Sequence, residues 1–136
     1  MGALCLASAA CQSTETPPPQ SEVLSADRAS ADAIGVSQRD FAYGLERASA
    51  KPGWVEFRIK NEGSEHHEFV VVGVDGDRWA PPSGEHEAIE PGDSGLLRVW
   101  LKPGQYRLVC LLITIRPDGP VSHVELGMDA PFEVAS

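Results

Sequence analysis

At 136 residues the chain has room for one domain with a proper core, and its 13 Gly and 11 Pro point to many turns. A net charge of −9 argues against nucleic acid and anionic membrane surfaces as partners, and suits solubility or the approach of a basic protein. Of three cysteines, Cys5 and Cys11 lie near the start, which excludes a disulfide framework and leaves Cys110 alone in the part that can fold.

In chain order, residues 1–10 are small, apolar and uncharged, the remnant of an export signal. Leu6-Ala-Ser-Ala-Ala-Cys11 resembles a bacterial lipoprotein processing box, which makes Cys11 the expected site of lipidation. No segment has the eighteen or so apolar residues that a membrane span needs. Residues 11–33 hold Thr16-Pro-Pro-Pro19 and then Ser, Ala, Asp and Glu with few large apolar side chains. Such a stretch buries too little surface to offset its ordering entropy, and the expectation is a flexible tether.

Residues 34–136 carry a β pattern. Residues 36–43 are a candidate opening strand, and Lys51-Pro-Gly53 supplies a turn. Residues 54–60 alternate, with Val55, Phe57 and Ile59 on one side and Glu56, Arg58 and Lys60 on the other. Asn61-Glu-Gly63 ends that strand. Phe69-Val-Val-Val72 is short and continuously apolar, as in a strand covered on both faces. Residues 74–93, with Pro81-Pro82 and Pro91-Gly92, are expected to form a long polar loop. Strands follow at 96–101 and 105–112 around the Lys102-Pro-Gly104 turn, and residues 132–134 form a closing edge strand. Trp54, Trp79 and Trp100 are expected in the core or at its rim. Six or seven strands at this spacing make a sandwich or small barrel.

Four side chains stand out by chemical type. His67 precedes the apolar run, Cys110 ends a strand, and His123 and Met128 follow at a five-residue step. Two imidazoles, one thiolate and a weak thioether are the donor set of a blue-copper electron-transfer site. Two of them also have an ordinary reading, Cys110 as a small buried hydrophobe and Met128 as core filler. The soft thioether favours copper over zinc. His66 and His86 are expected in solvent, as is the acidic stretch Glu85, Glu87, Glu90 and Asp93. There is no nucleophile elbow, phosphate loop or paired zinc motif, so the chain is not expected to be an enzyme.

Asn61-x5-His67-Glu-Phe69, Pro91-Gly92, Leu101-Lys-Pro-Gly104-x-Tyr106-x3-Cys110 and His123-x4-Met128 together resemble the cupredoxins, the family of plastocyanin and pseudoazurin, over residues 34–136. The resemblance implies an all-β Greek-key sandwich of about six to eight strands with one type 1 copper site. It makes His67, Cys110 and His123 the equatorial ligands and Met128 the axial one. His67 is preferred to His66 because the family's first ligand stands before one polar residue and then an apolar strand, as His67 stands before Glu68-Phe69. By the same transfer His123 presents an exposed ring edge as the electron port. The resemblance further implies an exported, monomeric single-electron carrier in the periplasm or outside the cell. It would meet the membrane only through lipid on Cys11 and work with a redox partner such as a cytochrome. A cupredoxin-like binding or structural module without copper, and a copper storage or delivery protein, are the alternatives.

The chain departs from the family pattern between Cys110 and His123, where twelve residues replace the usual two to four. The insert at 111–122 reads as strand, tight turn, strand. A regular hairpin turning at Asp118-Gly119 would pair Thr114 with His123 and Cys110 with Gly127. His123 would then lie four residues, roughly 13 Å, along the ribbon from Cys110. A shared metal requires the insert to bulge or fold back.

Overall fold

The computed structural model describes residues 20–136; the expected export signal and the lipidation of Cys11 fall outside them. In chain order the first strands are β1 (Ser21–Leu24), β2 (Ile34–Arg39), β3 (Ala42–Leu45), β4 (Ser49–Ala50), β5 (Gly53–Asn61) and β6 (His67–Asp75). Then come β7 (Arg78–Ile89), β8 (Ser94–Leu101), β9 (Gly104–Val109), β10 (Ile113–Arg116) and β11 (Gly119–Ser122). One helical turn, α1 (His123–Leu126), leads to β12 (Asp129–Val134). One five-stranded sheet runs β1-β8-β5-β2-β3 and the other β4-β12-β9-β6-β7, with β10-β11 as a separate ribbon. This is the all-β sandwich expected from the sequence. The described residues contain no helix long and apolar enough to cross a membrane.

The core lies between the sheets and follows from strand alternation. Val55, Phe57 and Ile59 of β5 point inward with Leu97, Val99 and Leu101 of β8, against Phe69, Val71, Leu108 and Phe132 of the opposite sheet. Phe57 anchors this contact, its ring 5.1 Å from Phe69 and 5.2 Å from Phe132. Burying each such side chain contributes about 1.5–3 kcal/mol. β6 is covered on both faces as predicted: Val70 and Val72 pack with Val109 and Val124 on the side away from the main core.

Several elements differ from expectation. Residues 21–24, assigned to the tether, form β1, which is ordered by its ladder with β8 rather than by apolar content of its own. Residues 36–43 are two antiparallel strands, β2 and β3, that break at Asp40 and Phe41. The expected loop at 74–93 is largely β7. As an edge strand with one free side it tolerates Pro81, Pro82 and repeated register shifts. β12 is no edge strand, because Ser49 and Ala50 of β4 pair beyond it. All three tryptophans face outward. Trp54 and Trp100 are cross-strand partners on the outer face of β5 and β8, rings edge to face at 5.6 Å, with the Arg98 guanidinium 4.2 Å from the Trp54 ring.

Candidate metal centre

His67 opens β6, Cys110 directly follows β9, and His123 is the first residue of α1. β6 and β9 are neighbours, with Val70 opposite Val109, so the start of one lies beside the end of the other. The ligand atoms of His67, Cys110 and His123 all lie within 4.8 Å of one another, and all three residues are buried. The two Nδ1 atoms are 3.2 Å apart, and Cys110 Sγ lies 3.4 Å from His123 Nδ1.

His123 arrives there because the hairpin ladder of the insert does not run on in register into the β9–β12 ladder. The ribbon turns at Pro117-Asp118, one residue earlier than predicted, and pairs Ile113 with Ser122. Its ladder continues one step, His123 N–H donating to Leu112 C=O at 3.0 Å. Carried further, it would set Glu125 opposite Cys110. Instead β9 pairs Val109 with Asp129, and Cys110 N–H donates to Met128 C=O at 3.2 Å. The three surplus residues are wound into α1. Ser122 caps the turn by accepting from Glu125 N–H, and Gly127 ends it at φ 129°, a left-handed conformation that glycine adopts without penalty. Winding rather than extending places the imidazole beside the sulfur.

Each ring is tied on its far nitrogen. His67 Nε2 lies 2.7 Å from Asp40 Oδ1, and His123 Nε2 lies 2.7 Å from Thr114 Oγ1. An ionised carboxylate only accepts, so His67 carries its proton on Nε2. The Thr114 hydroxyl donates to Glu65 Oε2 at 3.3 Å and so accepts from His123 Nε2–H. With both rings neutral, the two Nδ1 lone pairs face each other with a thiol beside them. Neutral groups cannot satisfy that arrangement, since the single S–H serves one nitrogen at most, whereas one cation satisfies all three donors. Ring nitrogens each about 2.0–2.1 Å from a common ion stand about 3–3.5 Å apart, which matches the observed pair.

Electrostatics follow from burial. Desolvation pushes the Cys110 thiol up; the backbone N–H groups of Glu68 and Leu112 work against it by favouring thiolate, while the Glu68 carboxylate adds to the rise. Burial holds His123 below its ordinary value, helped by His67. For Asp40 burial acts upward, yet hydrogen bonds from the Ser64 side chain and backbone, His67 and Glu65 outweigh it and hold the carboxyl well below its usual range.

His123 is 1% exposed and is no surface port. Thr114 covers its outer edge, the Phe41 ring packs 4.9 Å from it, and Arg116 stands 5.6 Å above Phe41 while pairing with Glu65 at 3.0 Å. The long insert supplies two of these covers, which a short loop would lack. Met128 is fully buried, and its N–H donates to His123 C=O at 3.0 Å, so its backbone is bonded to both other downstream ligand candidates. Sequence reasoning missed Asp40, Phe41, Glu65 and Thr114. An aspartate is a poor strand former, and at position 40 it was the available signal of a turn.

No family model matches the chain, and no curated protein sequence does. Among solved structures it is similar to dithionite-reduced auracyanin from Roseiflexus castenholzii, with a TM-score of 0.60 and 17% identity over 79% of this chain and 100% of that one. Auracyanin B gives a TM-score of 0.57 at 18% identity, covering 78% and 90%. Auracyanin A of Chloroflexus aurantiacus, described as a "blue" copper protein, gives 0.55 at 14%, covering 75% and 97%. The fold is the cupredoxin sandwich.

Proposed function

We propose that this protein is an exported single-electron carrier built on one type 1 copper, which His67, Cys110 and His123 would hold together with the Met128 thioether. The observation that carries the reading is the convergence of one buried thiol and two Nδ1 lone pairs whose rings are tied off elsewhere. Bound copper supplies the Cu(I)/Cu(II) couple, and a thiolate with two imidazoles suits both states. The chain's part is to keep the donors still: two come from strand ends in one sheet, and the third from a turn hydrogen-bonded to both Leu112 and Met128. The auracyanin A likeness supports the choice of metal. With 20 acidic against 11 basic residues, a redox partner such as a cytochrome would meet the protein through a basic face. The protein acts as a monomer, without enzymatic activity, in the periplasm or outside the cell, attached to a membrane through lipid on Cys11.

Copper storage or delivery is the second reading, favoured by the burial of His123, which leaves no imidazole edge in solvent. Titration of metal-free protein with Cu(II), followed by visible absorption, tests the first. One equivalent should give an intense blue or green colour that Cys110→Ala abolishes. Absence of both colour and a copper-dependent rise in melting temperature would leave a module without copper. Tight Cu(I) binding with irreversible voltammetry would select storage.

A further inference from the structure

We propose that Asp40 is a positioning residue for this centre: its carboxylate holds the Nε2 proton of His67 and so presents the Nδ1 lone pair to Cys110 and His123. A free imidazole exchanges between two tautomers, and only the Nε2–H form leaves Nδ1 able to bind a metal. The inference rests on the cluster being a metal centre, but the tautomer itself is a property of the metal-free protein.

The carboxylate is built into place. Asp40 comes from the β2–β3 turn of one sheet, whereas His67 opens a strand of the other. Asp40 Oδ2 accepts from Ser64 N–H at 2.8 Å and from the Ser64 hydroxyl, and Oδ1 accepts from Glu65 N–H at 3.3 Å while facing His67 at 2.7 Å. The segment leading into His67 thus grips the carboxylate that orients the ring.

Gly63 gives a second, independent sign. Its φ is not in the left-handed region, so backbone conformation does not demand glycine there. Clearance does: a Cβ at Gly63 would overlap Asp40 Oδ1 and lie 3.1 Å from His67 Nε2, on the hydrogen bond itself. The position is bare where the carboxylate and the imidazole meet.

A carboxylate behind a ligating histidine fixes the ring and raises its basicity, and loss of such a partner typically costs about 10- to 100-fold in metal affinity. The test begins with 15N-labelled, metal-free protein, whose long-range 1H–15N spectrum should show His67 protonated at Nε2. Asp40→Asn keeps the shape and removes the charge; Gly63→Ala keeps both partners and wedges them apart. Each should weaken Cu(II) binding about 10- to 100-fold in chelator competition and alter the His67 ring signals. Ser64→Ala, which loosens the grip but leaves the pair, should keep the Nε2–H signature. A wild-type ring protonated at Nδ1 overturns the inference, as does Asp40→Asn with unchanged ring signals and affinity. Should Asp40→Asn fail to fold, the wild-type spectrum and Gly63→Ala still decide. Protein that shows the Nε2–H ring but takes up no copper overturns the electron-carrier reading and leaves the role of Asp40 standing.

Discussion

The Nδ1 atoms of His67 and His123 face each other across 3.2 Å, although fifty-six positions separate the residues in the chain. Each ring has an oxygen behind it, Asp40 for one and Thr114 for the other, so in the neutral rings the facing atoms carry lone pairs rather than protons. Held apart from water, this pair and the neighbouring thiol determine how the metal-free protein behaves.

The thiol should be inert while the protein is folded. Cys110 is fully buried and its ionisation is suppressed, first by burial, so little thiolate exists at neutral pH. In a form carrying Cys5→Ser and Cys11→Ser, a chromogenic disulfide reagent should react slowly in buffer and within minutes in denaturant. Equal rates in both would refute this.

Metal-free stability should fall on mild acidification. His123 is held below its usual 6.5, by burial first and by His67 next, so the unfolded chain takes up a proton before the folded one does. Stability is then complete above about pH 6.5 and declines as pH drops through that value. Asp40, also depressed when folded, acts in the same direction only in the more acidic carboxylate range. The melting temperature should decrease between about pH 7.5 and 5.5, and His123→Gln should flatten the decline. A flat wild-type profile would contradict it.

Asn61→Ala should damage both fold and centre. The buried Asn61 side chain donates to Glu65 C=O and Ile89 C=O, both at 2.7 Å, and accepts from Gly63 N–H at 2.8 Å. Truncation orphans these groups at a cost of about 2–4 kcal/mol in denaturant unfolding. It also frees the segment that grips Asp40, so Cu(II) affinity should drop beyond the loss of stability.

Two aromatic truncations should differ sharply. Phe57→Ala removes the ring between Phe69 and Phe132 and should cost about 3–5 kcal/mol. Trp100→Ala removes a larger side chain that is 46% exposed, and should cost less than about 1.5 kcal/mol in the same unfolding assay.

What was legible followed from local chemistry. The alternation of Val55, Phe57 and Ile59 has the period of a strand with one covered face, and it set the core correctly. The donor types of His67, Cys110, His123 and Met128 were visible as residues, but their meeting was not. That depends on the three-residue offset between the β10-β11 and β9-β12 ladders, which no short window contains. Its traces were present all the same: Ser122-His-Val-Glu125 has the spacing of a helix start, and Gly127 is a helix stop. β7 was illegible because an edge strand need not alternate, and the outward tryptophans because a large ring on an exposed sheet face looks like core in composition.

The winding of α1 also leaves the tip of the outer ribbon, past Thr114 and Arg116, apart from the centre. Residues added in matched pairs at the Pro117-Asp118 end leave Thr114 and the imidazole where they are, since the ligand is set by the coil after the ribbon rather than by the ribbon's length. Reach and decoration at that end can thus change without retuning the donors inside.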